Sequence, residues 1–189
     1  MCGIRTGQGF CKFMAKPDAM KKCIAFILLL VAHNTFAQNN APQKPCSSPQ
    51  ASQFDFWIGD WELTWNDTSH GTNKVLKIMD GCTVHENFYD PSMKYSGSSW
   101  SVYNIQRKIW QQTWVDNMGG YIELTGKYEN NEMILTTAPR KLPAGAEIIS
   151  RMVFYNISPH KFDWRWESTK DNGATWQTNW LIHYKRKSS

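Results

Sequence analysis

From Trp61 onward the chain alternates apolar and polar positions with a period of two, and turn-forming residues break the alternation every few positions. Ten segments read this way. The first five are 61–65, 72–79, 82–89, 97–104 and 108–115, and the rest are 120–128, 132–138, 147–157, 161–169 and 174–185. Asp80-Gly81, Asp90-Pro91, Gly119-Gly120, Asn130-Asn131, Pro143-Ala144-Gly145, Ser158-Pro159 and Asn172-Gly173 separate them, all good turn formers. No segment sustains a 3.6-residue period. Ahead of the strands, QFDFWIGD (53–60) places Phe54, Phe56, Trp57 and Ile58 close together, which predicts a short helix or turn that acts as a plug.

Ten short strands with tight connections predict an all-β, single antiparallel up-and-down β-barrel over 54–186. An open sheet of that size would expose edges and an apolar face, and closure removes both. A β-sandwich is the alternative. Trp61, Leu63 and Trp65 share one face of their strand, as do Trp110, Gln112 and Trp114, and Phe162, Trp164 and Trp166. Trp176, Thr178, Trp180, Ile182 and Tyr184 form another such row.

The N-terminal 37 residues carry a different pattern. Lys21 and Lys22 precede nine apolar residues, Ile24–Ala32, and Thr35-Phe36-Ala37 places small residues at the two positions a signal peptidase reads. Nine residues fall short of the ~20 that span a bilayer. The pattern therefore predicts cleavage after Ala37, with a retained short anchor as the alternative, and residues 1–19 read as an extension upstream of Met20. An exported protein, periplasmic or extracellular, with no stable membrane span after cleavage is the expectation. Residues 38–53, rich in Pro, Ser and Gln, read as a flexible linker.

Removing the leader changes the charge. The whole chain holds 21 basic and 16 acidic residues, net +5; the leader takes five basic and one acidic with it, leaving net +1. Lys185-Arg186-Lys187 then reads as a solvated tail, and nucleic-acid binding loses its electrostatic warrant. Of five cysteines, Cys46 and Cys82 remain, and an even pair in an exported chain predicts a disulfide, with two free thiols as the alternative. Closing that loop contributes about 4 kcal/mol by chain-entropy arithmetic.

Chemical motifs are sparse. Thr169-x-Asp171-x-Gly173-x-Thr175-Trp176 matches the Asp-box hairpin of sialidase propellers; with one copy in a chain this short, it predicts a turn. His70, His85, His160 and His183 lack metal-binding spacing, so neither a metal nor a cofactor is expected. No nucleophile elbow, phosphate loop or dinucleotide fingerprint is present. His85 and Glu86 are strand neighbours, so one of them must point away from any cavity. Glu86, Asp116 and Glu167 are the carboxylates placed to act catalytically, as a pair in glycoside hydrolysis, although pairing with Arg151 or Arg165 is the ordinary fate of such groups. All ten tryptophans lie beyond the leader, enough to build a core, a ligand pocket or both.

FDFWIGDWEL (54–63), DGCTVHE (80–86), WQQTWVDNMGG (110–120) and WESTKDNGATW (166–176) together resemble an uncharacterised family of exported bacterial proteins. That family carries FDFW-x-G-x-W, QTWVDN and Asp-Gly-x-x-Trp motifs. Met118 departs from the polar residue the family pattern leads one to expect. The resemblance covers nearly all of 46–186 and implies a calycin, or lipocalin-like, barrel. Gly59-x-Trp61 is also similar to the first-strand Gly-x-Trp of lipocalins, where the Trp closes one barrel end.

Two functions follow as expectations. The first is a barrel holding a small, mostly apolar or aromatic ligand, with Trp110, Gln112, Trp114 and Trp166 as contacts. In a strand, Trp110, Gln112 and Trp114 set one amide between two indoles, and Gln112 is expected to face the interior as the polar handle. The second is a hydrolase or lyase acting on a carbohydrate or related small molecule. A small molecule is the only partner expected; oligomeric state is not legible.

Overall fold

The computed structural model describes residues 45–66, 68–143 and 145–188; the leader and 38–44 lie outside the described residues. Eleven strands occur: β1 (Gly59–Trp65), β2 (Ser69–Ile78), β3 (Thr83–Asp90), β4 (Tyr95–Asn104), β5 (Ile109–Asp116), β6 (Tyr121–Glu129), β7 (Glu132–Thr136), β8 (Arg140–Lys141), β9 (Glu147–Tyr155), β10 (Lys161–Thr169) and β11 (Gln177–Arg186). Each of the ten alternating segments forms a strand. β8 is new, and two residues are too few to show a period.

Every pairing is antiparallel, in the order β10-β11-β1-β2-β3-β4-β5-β6-β7-β9, and β9 pairs back onto β10 from Asp163–Tyr155 to Thr169–Ile149. That last ladder closes a ten-stranded barrel and leaves β8 as a short flap paired only with β9. A sandwich would retain edge strands, and closure removes them. The architecture is compatible with a calycin-like fold.

One end is plugged. A 3₁₀ turn at Asp55–Trp57 brings Phe54 and Trp57 to full burial, with Phe54 edge-on to Trp110 at 4.8 Å and to Phe154 at 5.4 Å between ring centroids. Trp61 Nε1 donates to the Trp57 carbonyl at 2.8 Å. Arg186 is no solvated tail: its guanidinium covers the Trp61 ring and donates to the carbonyls of Phe56, Ile58 and Pro159. Gly59 makes room for it. Its φ of +136° suits glycine, and a β-carbon there would lie 2.1 Å from an Arg186 nitrogen.

The part of the lead-in that is described is tied to the barrel. Ser48 caps a 3₁₀ turn at Pro49–Ser52, Ala51 is buried, and Gln53 Oε1 accepts from Trp110 Nε1 at 3.0 Å. A disulfide joins Cys46 to Cys82 across 36 residues, fixing this segment beside the β2–β3 connection.

Alternation places Trp61, Leu63, Phe88, Trp110, Leu124, Phe154 and Ile182 in the core. One row departs from the expected pattern. A bulge shifts the β10–β11 register between Trp166 and Glu167, so Trp166 pairs with Trp180 but Glu167 pairs with Thr178. The extra residue, Asn179, flips the phase of the strand. Thr178 therefore reaches Glu167 at 3.4 Å on the outer wall, while Trp180, Ile182 and Tyr184 stay inside. Trp176, ahead of β11, turns outward and lies under the Arg151 guanidinium at 3.8 Å.

Candidate ligand-binding site

Between the plug and the opposite end, the barrel holds a partly open cavity of about 200 Å³. Trp57 and Phe154 form its floor on the plug side. Aromatic side chains from five strands make the walls: Phe88, Tyr95, Trp114, Trp164, Trp166 and Trp180. Nine of its thirteen lining residues are aromatic and one, Glu86, carries a carboxyl, so the space is apolar with a single strong polar group. Trp164, Trp166 and Trp180 brace one another, Trp164 stacked near Trp166 and edge-on to Trp180 at 5.7 Å.

Glu86 projects inward from β3, whereas its neighbour His85 points outward and stacks on Trp100 at 4.9 Å. Asn73 Nδ2 donates to Glu86 Oε1 at 2.7 Å and to the Tyr184 hydroxyl at 3.2 Å, and Ser99 Oγ donates to Oε2 at 2.6 Å. Burial raises the Glu86 pKa to about 7; the Ser99 and Asn73 hydrogen bonds favour the carboxylate but only partly offset the desolvation. Burial, with the nearby Glu86 charge, also holds the Tyr184 hydroxyl well above its ordinary range.

Asp116, at the end of β5, organises the open end. Its Oδ2 accepts from the Tyr95 hydroxyl at 2.9 Å and Trp114 Nε1 at 3.2 Å, and its Oδ1 accepts the amides of Met118 and Gly120. One carboxylate thus fixes two cavity walls and the β5–β6 turn. Desolvation pushes its pKa up, but these donors together outweigh it and leave the group below the ordinary carboxylate range. Asn117 bonds Ser96 and Lys94, joining this turn to the one before β4.

The other candidates fall elsewhere. Glu167 lies on the outer wall, buried between Arg151 Nε at 2.7 Å and Arg165 Nε at 2.8 Å. Trp114 and Trp166 are cavity walls. Trp110 packs on the plug, and Gln112, 2% exposed, donates to Ser101 Oγ at 2.8 Å; neither is among the residues lining the cavity. Asp171 accepts from Thr169 and Thr175, so the Asp-box sequence serves as a hairpin turn. No sequence motif marks Asn73, Ser99 or Tyr95. An inward Ser in an otherwise aromatic barrel is the signal that a polar partner lies opposite.

A groove of about 900 Å³ opens above the cavity and shares Tyr95 and Trp180 with it. Met93 and Met118, 77% and 81% exposed, stand on its rim. Among the described residues no group of His, Cys, Asp and Glu is arranged to hold a metal, and no helix is long and apolar enough to cross a membrane.

Fold and site define a closed antiparallel barrel with a small aromatic cavity, plugged at one end. No protein-family model and no curated protein matches the chain.

Proposed function

We propose that the protein is an exported lipocalin-like barrel that binds one small, mostly apolar or aromatic molecule in the Glu86 cavity. The observation that carries this reading is the aromatic-lined cavity itself. A dry apolar cavity of about 150 Å³ accommodates benzene, so about 200 Å³ suits one ring with a short substituent. Trp114 and Trp166 are the contacting walls, and Glu86 is the polar handle in place of Gln112. The leader pattern and the Cys46–Cys82 bridge support export.

A catalytic reading draws support from Glu86 alone, a carboxyl with a pKa of about 7 in a cavity, poised for proton transfer in a lyase-type reaction. Paired-carboxylate hydrolysis has less support, because Asp116 is engaged by four donors and Glu167 lies on the outer wall.

Titrating the protein with ethylbenzene while following tryptophan fluorescence and heat tests the binding reading. Saturable, one-to-one binding that Trp166→Ala weakens at least tenfold is expected. No binding of ethylbenzene, toluene or indole would overturn it.

A further inference from the structure

We infer that the cavity selects a small organic cation, an ammonium group on a compact aromatic or alkyl body; this rests on the binding function proposed above. The first observation is an unbalanced charge. Among the described residues, Glu86 is the only carboxyl on the cavity wall, and no Lys, Arg or His lines the space. Its two partners, Asn73 Nδ2 and Ser99 Oγ, both donate to it, an arrangement that suits the carboxylate form. A buried carboxylate needs a positive partner or it takes up a proton. The barrel supplies the donors and leaves the counter-charge to the ligand.

The second observation is independent. Tyr95 and Trp114, which both line the cavity, donate their O–H and N–H to the ionised Asp116, which enriches their rings in electron density. Trp and Tyr faces attract cations, most strongly when water is excluded. The groove beside the cavity carries Asp90 and His183 but, among the described residues, no Lys or Arg. Of the titratable groups facing Glu86, Tyr184 and Tyr95 both remain protonated and neutral at working pH. Binding to protonated Glu86 then exchanges one proton for one cation: the carboxyl O–H breaks, the proton leaves to buffer, and the ammonium occupies its place against the carboxylate.

Benzylammonium and its neutral isostere ethylbenzene separate the two proposals. Benzylammonium affinity, measured by calorimetry, should rise roughly tenfold between about pH 6 and pH 8, following the ionised fraction of a group titrating near 7. Ethylbenzene affinity should show no such rise, because a neutral ligand beside Glu86 favours the protonated carboxyl. In buffers of differing ionisation heat, benzylammonium should release protons at pH 6.5 and none at pH 8.5, a readout that needs no variant. Glu86→Gln should abolish the preference for benzylammonium over ethylbenzene and the proton release that accompanies it. Ethylbenzene binding without a benzylammonium preference, or benzylammonium binding without proton release at pH 6.5, overturns the cation inference and leaves the apolar cavity standing. Failure of both probes overturns the binding function itself.

Discussion

The indole of Trp114 rests against Gly97 on the neighbouring strand, so closely that a β-carbon at Gly97 would lie 1.9 Å from the ring. The two are diagonal neighbours, since Gly97 pairs with Asp116 and Ser99 with Trp114. Gly97 therefore sets the depth of one cavity wall. Gly97→Ala should push Trp114 off this position and strain its bond to Asp116. Expected outcomes are a loss of about 1–3 kcal/mol from overpacking, read by denaturant midpoint, and at least a fivefold weaker ethylbenzene affinity. Wild-type affinity in a folded Gly97→Ala variant would show that Trp114 is not a wall that matters.

Arg186 spans the closed end, and removing it leaves the Phe56 and Ile58 carbonyls without their charged donor. Hydrogen bonds from charged groups contribute about 1.5–3 kcal/mol each, with much of that recovered by water at a half-buried site. Arg186→Ala should therefore cost about 3 kcal/mol, and Arg186→Lys should recover little, because one ammonium cannot replace the fork that reaches three carbonyls. A loss under 0.5 kcal/mol on thermal or urea unfolding would assign Arg186 to the surface.

Glu86 makes stability depend on pH in an unusual direction. Its folded pKa, about 7, exceeds the ordinary 4.5, so the folded state holds the proton more tightly than the unfolded chain. The stability it contributes is full below pH 4.5, declines as pH rises and is lost above about 7, a change of about 3 kcal/mol. Ionisable groups elsewhere superimpose their own dependence, so the comparison is with Glu86→Gln. The wild type should lose about 3 kcal/mol relative to this variant between pH 4.5 and 7.5. A constant difference across that range would mean Glu86 titrates normally.

Much of this protein was legible without coordinates. Strands follow from period-two alternation because successive side chains must point to opposite walls, and turn formers mark their ends. The segment 53–60 reads as a plug, since Phe54, Phe56, Trp57 and Ile58 so close together call for burial. Even the opposed directions of His85 and Glu86 followed from strand geometry. Tertiary structure decided the rest. Pairing of β11 with β1 brought Tyr184 to Asn73, Glu86 and Ser99 of the three strands that follow β1, and no local spacing encodes that meeting. The single extra residue at Asn179 reversed the wall that Thr178 faces, because one inserted residue inverts an alternation that sequence alone reads as continuous. Arg186 looked like solvent-facing charge for the same reason: two of its three partners lie about 130 residues away, and all are carbonyl oxygens, which every residue possesses and no sequence pattern marks.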